Sequence, residues 1–171
     1  MTPTLFWSET REKLRGFGAR TDTLGRTTRP ILIAVVIGVL TAFTAIAFKL
    51  GLLWLTREVR TVAPTGSVMS ILAPAAGGLA AGIVIWLVAP EARGHGVPNV
   101  MDAVARRAGL IRGRAVLGKI LASWMTIGSG GIAGSEGPSV QIGAGIGSAI
   151  GRLLKVERTR MRRYVATGAA G

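Results

Sequence analysis

Residues 128–138 read GSGGIAGSEGP, and Glu136 within this stretch is the single acid between Asp102 and Glu157. The flanking residues 120–151 carry no other charge. A charged side chain at the centre of a bilayer costs about 2.5–3.5 kcal/mol on insertion scales, so an acid kept there is by default a functional residue. The surrounding glycines let backbone N–H groups approach a small ligand without an intervening side chain. The stretch therefore predicts a membrane protein that handles a small anion.

The composition of the whole chain agrees with a membrane protein. Of its 171 residues, 49% are hydrophobic and only 17% are charged, whereas a soluble domain usually carries about 25% charged residues. The 25 glycines favour close helix packing, because no low-complexity run accompanies them. The chain has no cysteine and one histidine, which excludes a disulfide scaffold and disfavours a metal site built by the protein. We therefore expect no metal site, and we also expect no cofactor and no enzymatic activity.

The net charge of +13 is concentrated in basic clusters beside the apolar segments. Six basic residues lie within residues 1–29, four lie within 106–114, and a further cluster occupies 152–163. This distribution follows the positive-inside rule, and it argues against nucleic acid as the partner of the positive charge. We expect the three clusters to face the cytoplasm and residues 56–70 to face outward.

Apolar runs separated by breaks that contain glycine or proline predict an all-α, polytopic membrane fold with tilted and interrupted helices. Residues 1–29 form a cytoplasmic basic segment, and 30–171 form the transmembrane region. The first apolar run is longer than a bilayer of ~30 Å requires at ~1.5 Å per residue, which predicts a tilted helix. The predicted helices cover 31–56, 71–90, 97–109, 112–128, 138–154 and a last segment from 159 onward.

Glycine spacing predicts where these helices pack closely. Gly77, Gly78 and Gly82 favour tight contact of the second helix with a neighbour, because small residues let helix backbones approach. Glycines at 143, 147 and 151 recur every four residues and predict one smooth helix face.

Two of the predicted helices begin near Pro98 and Pro138, each after a glycine-rich break, and are too short to cross a bilayer alone. Irregular backbone at membrane depth is tolerated only where it lines a cavity or is buried in protein. The N-terminus of a helix carries partial positive charge and unpaired N–H groups, which favour an anion. Paired interrupted segments are a sequence signal for the binding site of a transporter.

The two break motifs, GHGVP at 94–98 and GSEGP at 134–138, resemble the CLC family of voltage-gated chloride channels and chloride/proton exchangers. In that family a GSGIP-type loop and a G(K/R)EGP-type loop each open a half-helix aimed at the permeating anion. The continuation SVQIG at 139–143 and Lys119 in the preceding helix are also similar to the family, and the similarity extends from the first long helix to the last residue.

The resemblance implies transport of chloride or a similar small anion, with proton coupling in the exchangers. It also implies residence in the lipid bilayer of the inner membrane, a cytoplasmic N-terminus and a homodimer for the full-length protein. Glu136 resembles the gating glutamate, whose carboxylate competes with the anion when ionised and swings away when protonated. The implied anion-binding residues are His95, Gly96, Val97, Ser135, Glu136 and Gly137.

The sequence departs from the family pattern at His95, where the family usually has serine, and at Ser135, where it usually has a basic residue. A neutral imidazole donates one N–H and an imidazolium adds a full charge, so the ranking of anions is left open. The second internal repeat, the aromatic anion ligands, the internal proton glutamate and the dimer surface would lie beyond Gly171. We therefore expect an N-terminal fragment or a truncated product, and channel and exchanger are not distinguished.

Other readings stay open at this point. The chain fits a truncated, non-transporting membrane subunit or pseudo-transporter that folds only against a partner. Glu136 fits a purely structural role at a helix start, stabilised by the helix dipole. Lys119 fits a side chain that extends along apolar surface towards the inner face of the membrane.

Overall fold

The computed structural model describes the backbone of residues 3–171 and the side chains of residues 28–171. Helices and connecting loops make up this part of the chain, and it contains no strand, so the predicted all-α fold is confirmed. The prediction of a basic segment at 1–29 falls mostly on side chains outside the described residues. The helices are α1 (Pro3–Val62), α2 (Met69–Val88), α3 (Gly96–Arg106), α4 (Gly113–Gly128), α5 (Glu136–Leu153) and α6 (Arg158–Ala170), with a 3-10 turn at Pro90–Ala92.

The chain divides into two units, residues 1–36 and residues 37–171. The described part of the first unit belongs to α1. The second unit contains the remainder of α1 together with α2 to α6. All packing and cavities described below lie within the second unit.

Within the part of the chain that the structure describes, two helices are long and apolar enough to cross a membrane: the segment Thr28–Val62 of α1 and the whole of α2. At ~1.5 Å per residue, the 35 residues of the α1 segment span roughly 52 Å, well beyond a hydrocarbon core of ~30 Å. Large apolar side chains on both helices are exposed, among them Phe43, Trp54 and Trp86. Exposed apolar faces of this extent are typical of surfaces that contact lipid or another protein segment.

The first turns of α3 and α5 each contain a proline, and another proline lies inside α1. Pro98 and Pro138 are each the third residue of their helix, where the missing N–H would have no intrahelical acceptor in any case. The helix expected from Pro138 therefore begins two residues earlier, at Glu136. Pro30, which opens the first apolar run of the sequence, lies within α1 rather than at its start.

The predicted glycine face of α5 is confirmed, because it packs against α6 through main-chain atoms. A methyl group on Gly143 would overlap the carbonyl oxygen of Gly168, and one on Gly147 would overlap that of Tyr164. Gly151 lies against the sulfur of Met161. The two helices therefore approach as closely as their backbones permit, as small residues allow in membrane proteins.

The glycines of α2 behave differently from one another. A methyl group on Gly77 would overlap Ser129 Oγ and the carbonyl oxygen of Met125, so this glycine does permit close packing on α4. A methyl group on Gly78 or Gly82 would have no heavy atom within 4 Å, and the prediction of tight contact was wrong for these two. Gly78 follows Gly77 by one residue and Gly82 follows it by five, which are rotations of about 100° and about 140° around the helix axis and turn both away from α4.

The packing of α1 on α4 is fixed by an aromatic pair. The rings of Phe48 and Trp124 stack with centroids 6.3 Å apart and planes at 9°, a distance within the favourable range for aromatic pairs. Trp124 Nε1 also donates a hydrogen bond to the carbonyl oxygen of Phe48 at 3.1 Å. Gly51 leaves room for the indole, since a methyl group there would lie 2.7 Å from Trp124. This contact sets the rotation of α1 about its own axis.

Candidate functional site

The N-termini of α3 and α5 meet in the folded chain. A methyl group on Gly96 would overlap the carbonyl oxygen of Gly137, and Gly96 is buried. The two sequence motifs that were predicted to form a site are therefore adjacent in space. Each contributes the partially positive end of a helix to the same region.

The start of α5 presents unpaired backbone donors beside a carboxylate. The first bond of the helix is donated by the Ser139 N–H to the Ser135 carbonyl oxygen at 3.0 Å, which leaves the N–H groups of Glu136 and Gly137 without an intrahelical acceptor. The Glu136 carboxylate folds back over Gly134, where a side chain would overlap Oε2. Because Gly134 has no side chain, it leaves room for the Glu136 carboxylate beside the N-terminus of α5.

The loop before α3 is held by contacts from α3 and α4. Lys119 Nζ donates hydrogen bonds to the carbonyl oxygens of Gly94 and, at 3.5 Å, Ala92. Asn99 Nδ2 donates to the carbonyl oxygen of Arg93 at 2.8 Å. Gly94 has a φ of +78°, a left-handed conformation that favours glycine. The loop is therefore held at Ala92, Arg93 and Gly94, immediately before His95.

His95 stands directly before the first turn of α3. Its side chain is exposed and makes no capping hydrogen bond to the helix. Its imidazole is therefore not committed to stabilising the helix end. Lys119, for which extension along apolar surface was one of the open readings, is half-buried and hydrogen-bonded to the loop.

A cavity of about 580 Å³, here called the main cavity, lies between α4 and the two motif loops. Its charged or titratable lining side chains are His95, Lys119 and Glu136, and α4 adds the hydroxyl groups of Ser123 and Thr126. Gly96 and Gly137 complete the wall at the meeting point of the helices. The main cavity is large enough for several water molecules or small ions, since one water occupies about 30 Å³ in the liquid.

A second cavity of about 240 Å³, here called the side cavity, lies among α1, the start of α5 and the end of α6. Glu136 lines the main and the side cavity, and no other residue in the described part of the chain lines both. The lining residues of the side cavity are Thr41, Ala45, Lys49, Ser135, Glu136, Ser139, Val140, Ala169, Ala170 and Gly171.

The predicted anion-binding residues divide between these spaces. His95, Gly96, Glu136 and Gly137 line the main cavity, whereas Ser135 lines the side cavity. Val97 lines neither cavity.

Six polar residues that line the cavities were not among the predicted site residues: Thr41, Lys49, Lys119, Ser123, Thr126 and Ser139. Of these, Lys49 carried a signal as the one charge in the apolar run at 31–56. Lys119 and Ser139 carried one through the resemblance to the family. Within residues 28–171, no group of three or more His, Asp or Glu residues is arranged to hold a metal ion.

Residues 77–171 match the family described as voltage gated chloride channel. The chain is 36% identical over 104 residues to a putative chloride channel protein ClcB-like of Ralstonia nicotianae, covering 58% of this chain and 24% of the relative. It is 30% identical over 148 residues to the H(+)/Cl(-) exchange transporter ClcA of Citrobacter koseri, covering 82% of this chain and 31% of the relative. The chain thus spans about a quarter to a third of the length of these relatives.

A comparison with a solved structure also finds a similar fold. The chain matches the structure of a slow cyanobacterial Cl-/H+ antiporter with a TM-score of 0.67 and 26% sequence identity. The match covers 82% of this chain and 35% of the antiporter chain.

Proposed function

This chain belongs to the voltage gated chloride channel family. From that premise we propose that it forms part of a membrane pathway for a small inorganic anion, of which chloride is the main candidate. Glu136 is the gate of this pathway. Backbone N–H groups at Ser135, Glu136 and Gly137 bind the anion at the start of α5. His95 and Gly96 contact a second ion at the start of α3, together with the neighbouring Val97 backbone.

The observation that carries this proposal is the position of Glu136 between two cavities. An ionised carboxylate accepts hydrogen bonds only, so it competes with an anion for the same N–H donors. A protonated carboxyl group loses its attraction to the partially positive helix end and leaves it to the anion. Protonation of one side chain therefore opens or closes the connection between the main and the side cavity.

The relatives guide the proposal on coupling and location. Relatives of this chain carry the description of H(+)/Cl(-) exchange transporter, and we extend proton coupling to this protein with Glu136 as one proton acceptor. We place the chain in the inner membrane as a multi-pass protein, with residues 1–29 in the cytoplasm. In the assembled transporter we expect a homodimer.

Anion flux in liposomes tests the gate. Protein that carries Glu136→Gln or Glu136→Ala should conduct the anion with much reduced dependence on external pH, because neither side chain can present a competing charge. Any proton movement coupled to the anion should be lost in both variants. Wild-type flux should respond to external pH.

A matched control is Glu58→Gln, which removes an exposed carboxylate of α1 that lines neither cavity. It should retain the pH response of the wild type. Unchanged pH dependence in both Glu136 variants would reduce Glu136 to a structural residue of the helix start. Anion binding without flux in the wild type would favour the alternative of a non-transporting membrane subunit.

A further inference from the structure

The side cavity contains one cationic side chain, Lys49, among its lining residues. Resting on the proposed function, we propose that Lys49 is an anion-binding residue of the side cavity, where it holds a small inorganic anion beside the start of α5. The site combines the Lys49 ammonium with the hydroxyl group of Thr41 and the N–H groups at Ser135 and Glu136. It lies on the opposite side of Glu136 from the main cavity.

Lys49 reaches this position because of the rotation of α1. Thr41, Ala45 and Lys49 are spaced four residues apart and so share one helix face. Thr41 packs on α5, since its Cγ2 would lie 2.7 Å from a methyl group on Gly143. The stacking of Phe48 on Trp124 holds the adjacent face of α1 against α4. The two contacts together direct the face that carries Lys49 towards the start of α5.

A second polar group of the cavity has no partner. Thr41 is 2% exposed, and within the described residues its Oγ1 has no hydrogen-bond partner. An unpaired buried hydroxyl costs about 1–3 kcal/mol, and such groups in folded proteins call for a ligand, an ion or a water. Thr41 and Lys49 both line the side cavity.

The charges of the cavity also fit an exchangeable anion. Its two charged lining residues are Lys49 and Glu136, and they form no ion pair within the described part of the chain. A permanent ion pair would neutralise the cation and close the space between the two helices. Separated charges instead leave the Lys49 ammonium available to an anion whenever the Glu136 carboxyl group is protonated.

A competing reading treats Lys49 as an exposed side chain that extends to the membrane interface and does nothing further. The two readings differ in what removal of the charge does to anion affinity. A binding residue contributes a charged hydrogen bond, and its loss weakens binding roughly tenfold. A side chain at the interface contributes only to the general surface charge.

Isothermal titration of detergent-solubilised protein with sodium chloride provides the measurement. Lys49→Gln should weaken chloride binding roughly tenfold, and Lys49→Arg should retain most of it. Lys49→Gln combined with Ser135→Lys should regain affinity, because position 135 lines the same cavity. Thr41→Val keeps the shape of the side chain and removes the hydroxyl, so it should weaken binding without lowering the unfolding temperature.

The matched control is Arg57→Gln, which removes the same charge from an exposed position on the same helix outside both cavities. It should bind chloride as the wild type does. Equal weakening in Arg57→Gln and Lys49→Gln, or wild-type affinity in Lys49→Gln, would overturn the role of Lys49. Wild-type protein that binds chloride without transporting it contradicts the proposed transport, and the role of Lys49 is then decided by the binding comparison alone.

Discussion

The backbone of Gly96 lies directly against the carbonyl group of Gly137, so α3 and α5 meet at their N-terminal ends without a side chain between them. Each end carries about half a positive charge when its N–H groups are unpaired. Two such ends repel one another unless negative charge lies near them. In the proposed gate, the Glu136 carboxylate supplies that charge, and an anion in the main cavity replaces it.

Gly96→Ala should be strongly destabilising, because the added methyl group overlaps a main-chain atom of Gly137 that cannot rotate away. Overpacking of this kind typically costs about 1–3 kcal/mol. Gly78→Ala is the matched control, since it adds the same methyl group to a helix position with no heavy atom within 4 Å. Thermal unfolding in detergent, followed by circular dichroism, should show a lower midpoint for Gly96→Ala only; equal midpoints would contradict the close approach of the two helices.

Lys119→Met should loosen the loop before α3, because methionine keeps the apolar stem and removes the donor to the Gly94 and Ala92 carbonyl oxygens. A hydrogen bond contributes a net ~0.5–1.5 kcal/mol, which corresponds to roughly two- to tenfold faster amide exchange in residues 93–97. Hydrogen–deuterium exchange with mass spectrometry measures this. Arg114→Met, an exposed residue of the same helix, should leave the exchange of this loop unchanged; similar acceleration in both variants would assign the effect to lost charge.

His95→Ser should change the ranking among chloride, nitrate and fluoride, because a hydroxyl group donates without a change of charge, whereas an imidazole offers one N–H when neutral and a full charge when protonated. It should also flatten any pH response that remains in Glu136→Gln. The measurement is the flux of each anion at two pH values in wild type, His95→Ser and His95→Ala. If all three proteins rank the anions alike at both pH values, His95 takes no part in selectivity.

Single cysteines can test the orientation, because the chain has none of its own. A membrane-impermeant maleimide added to intact cells should label Thr65→Cys and leave Thr21→Cys and Leu110→Cys unlabelled, as the distribution of basic residues predicts. Thr65 and Leu110 are exposed, and they avoid the positive φ values of Gly66 and Gly109. Labelling at position 21 or 110 in intact cells would reverse the topology.

Much of the fold could be predicted from local patterns. The second apolar helix was expected at 71–90 and runs over Met69–Val88, because length and hydropathy define it without reference to any partner. The glycine face of α5 was also expected, and α6 covers it. Gly78 shows the limit of this reasoning. The sequence shows that a small residue is present, but it does not show whether another helix packs against that residue.

The residues of the candidate site that belong to a sequence motif could be predicted. The residues that reach the site only through tertiary packing could not. Glu136 and His95 stood out in the sequence because each interrupts a glycine-rich break. Lys49 and Thr41 joined the side cavity only through the rotation of α1, which depends on the contact between Phe48 and Trp124. Such a contact links distant positions of the chain and leaves no periodic signal.

The glycine face between α5 and α6 has a mechanical consequence. Gly147 and Tyr164 meet through main-chain atoms, so no change of rotamer can relieve a push of one helix on the other. We therefore expect the two helices to move together, so that a displacement of α6 would also displace α5, whose first residue is Glu136. Such helix movements take microseconds to milliseconds, whereas an exposed side chain such as that of Glu136 reorients in picoseconds to nanoseconds. The side chain of the proposed gate and the helix pair that carries it therefore move on different timescales.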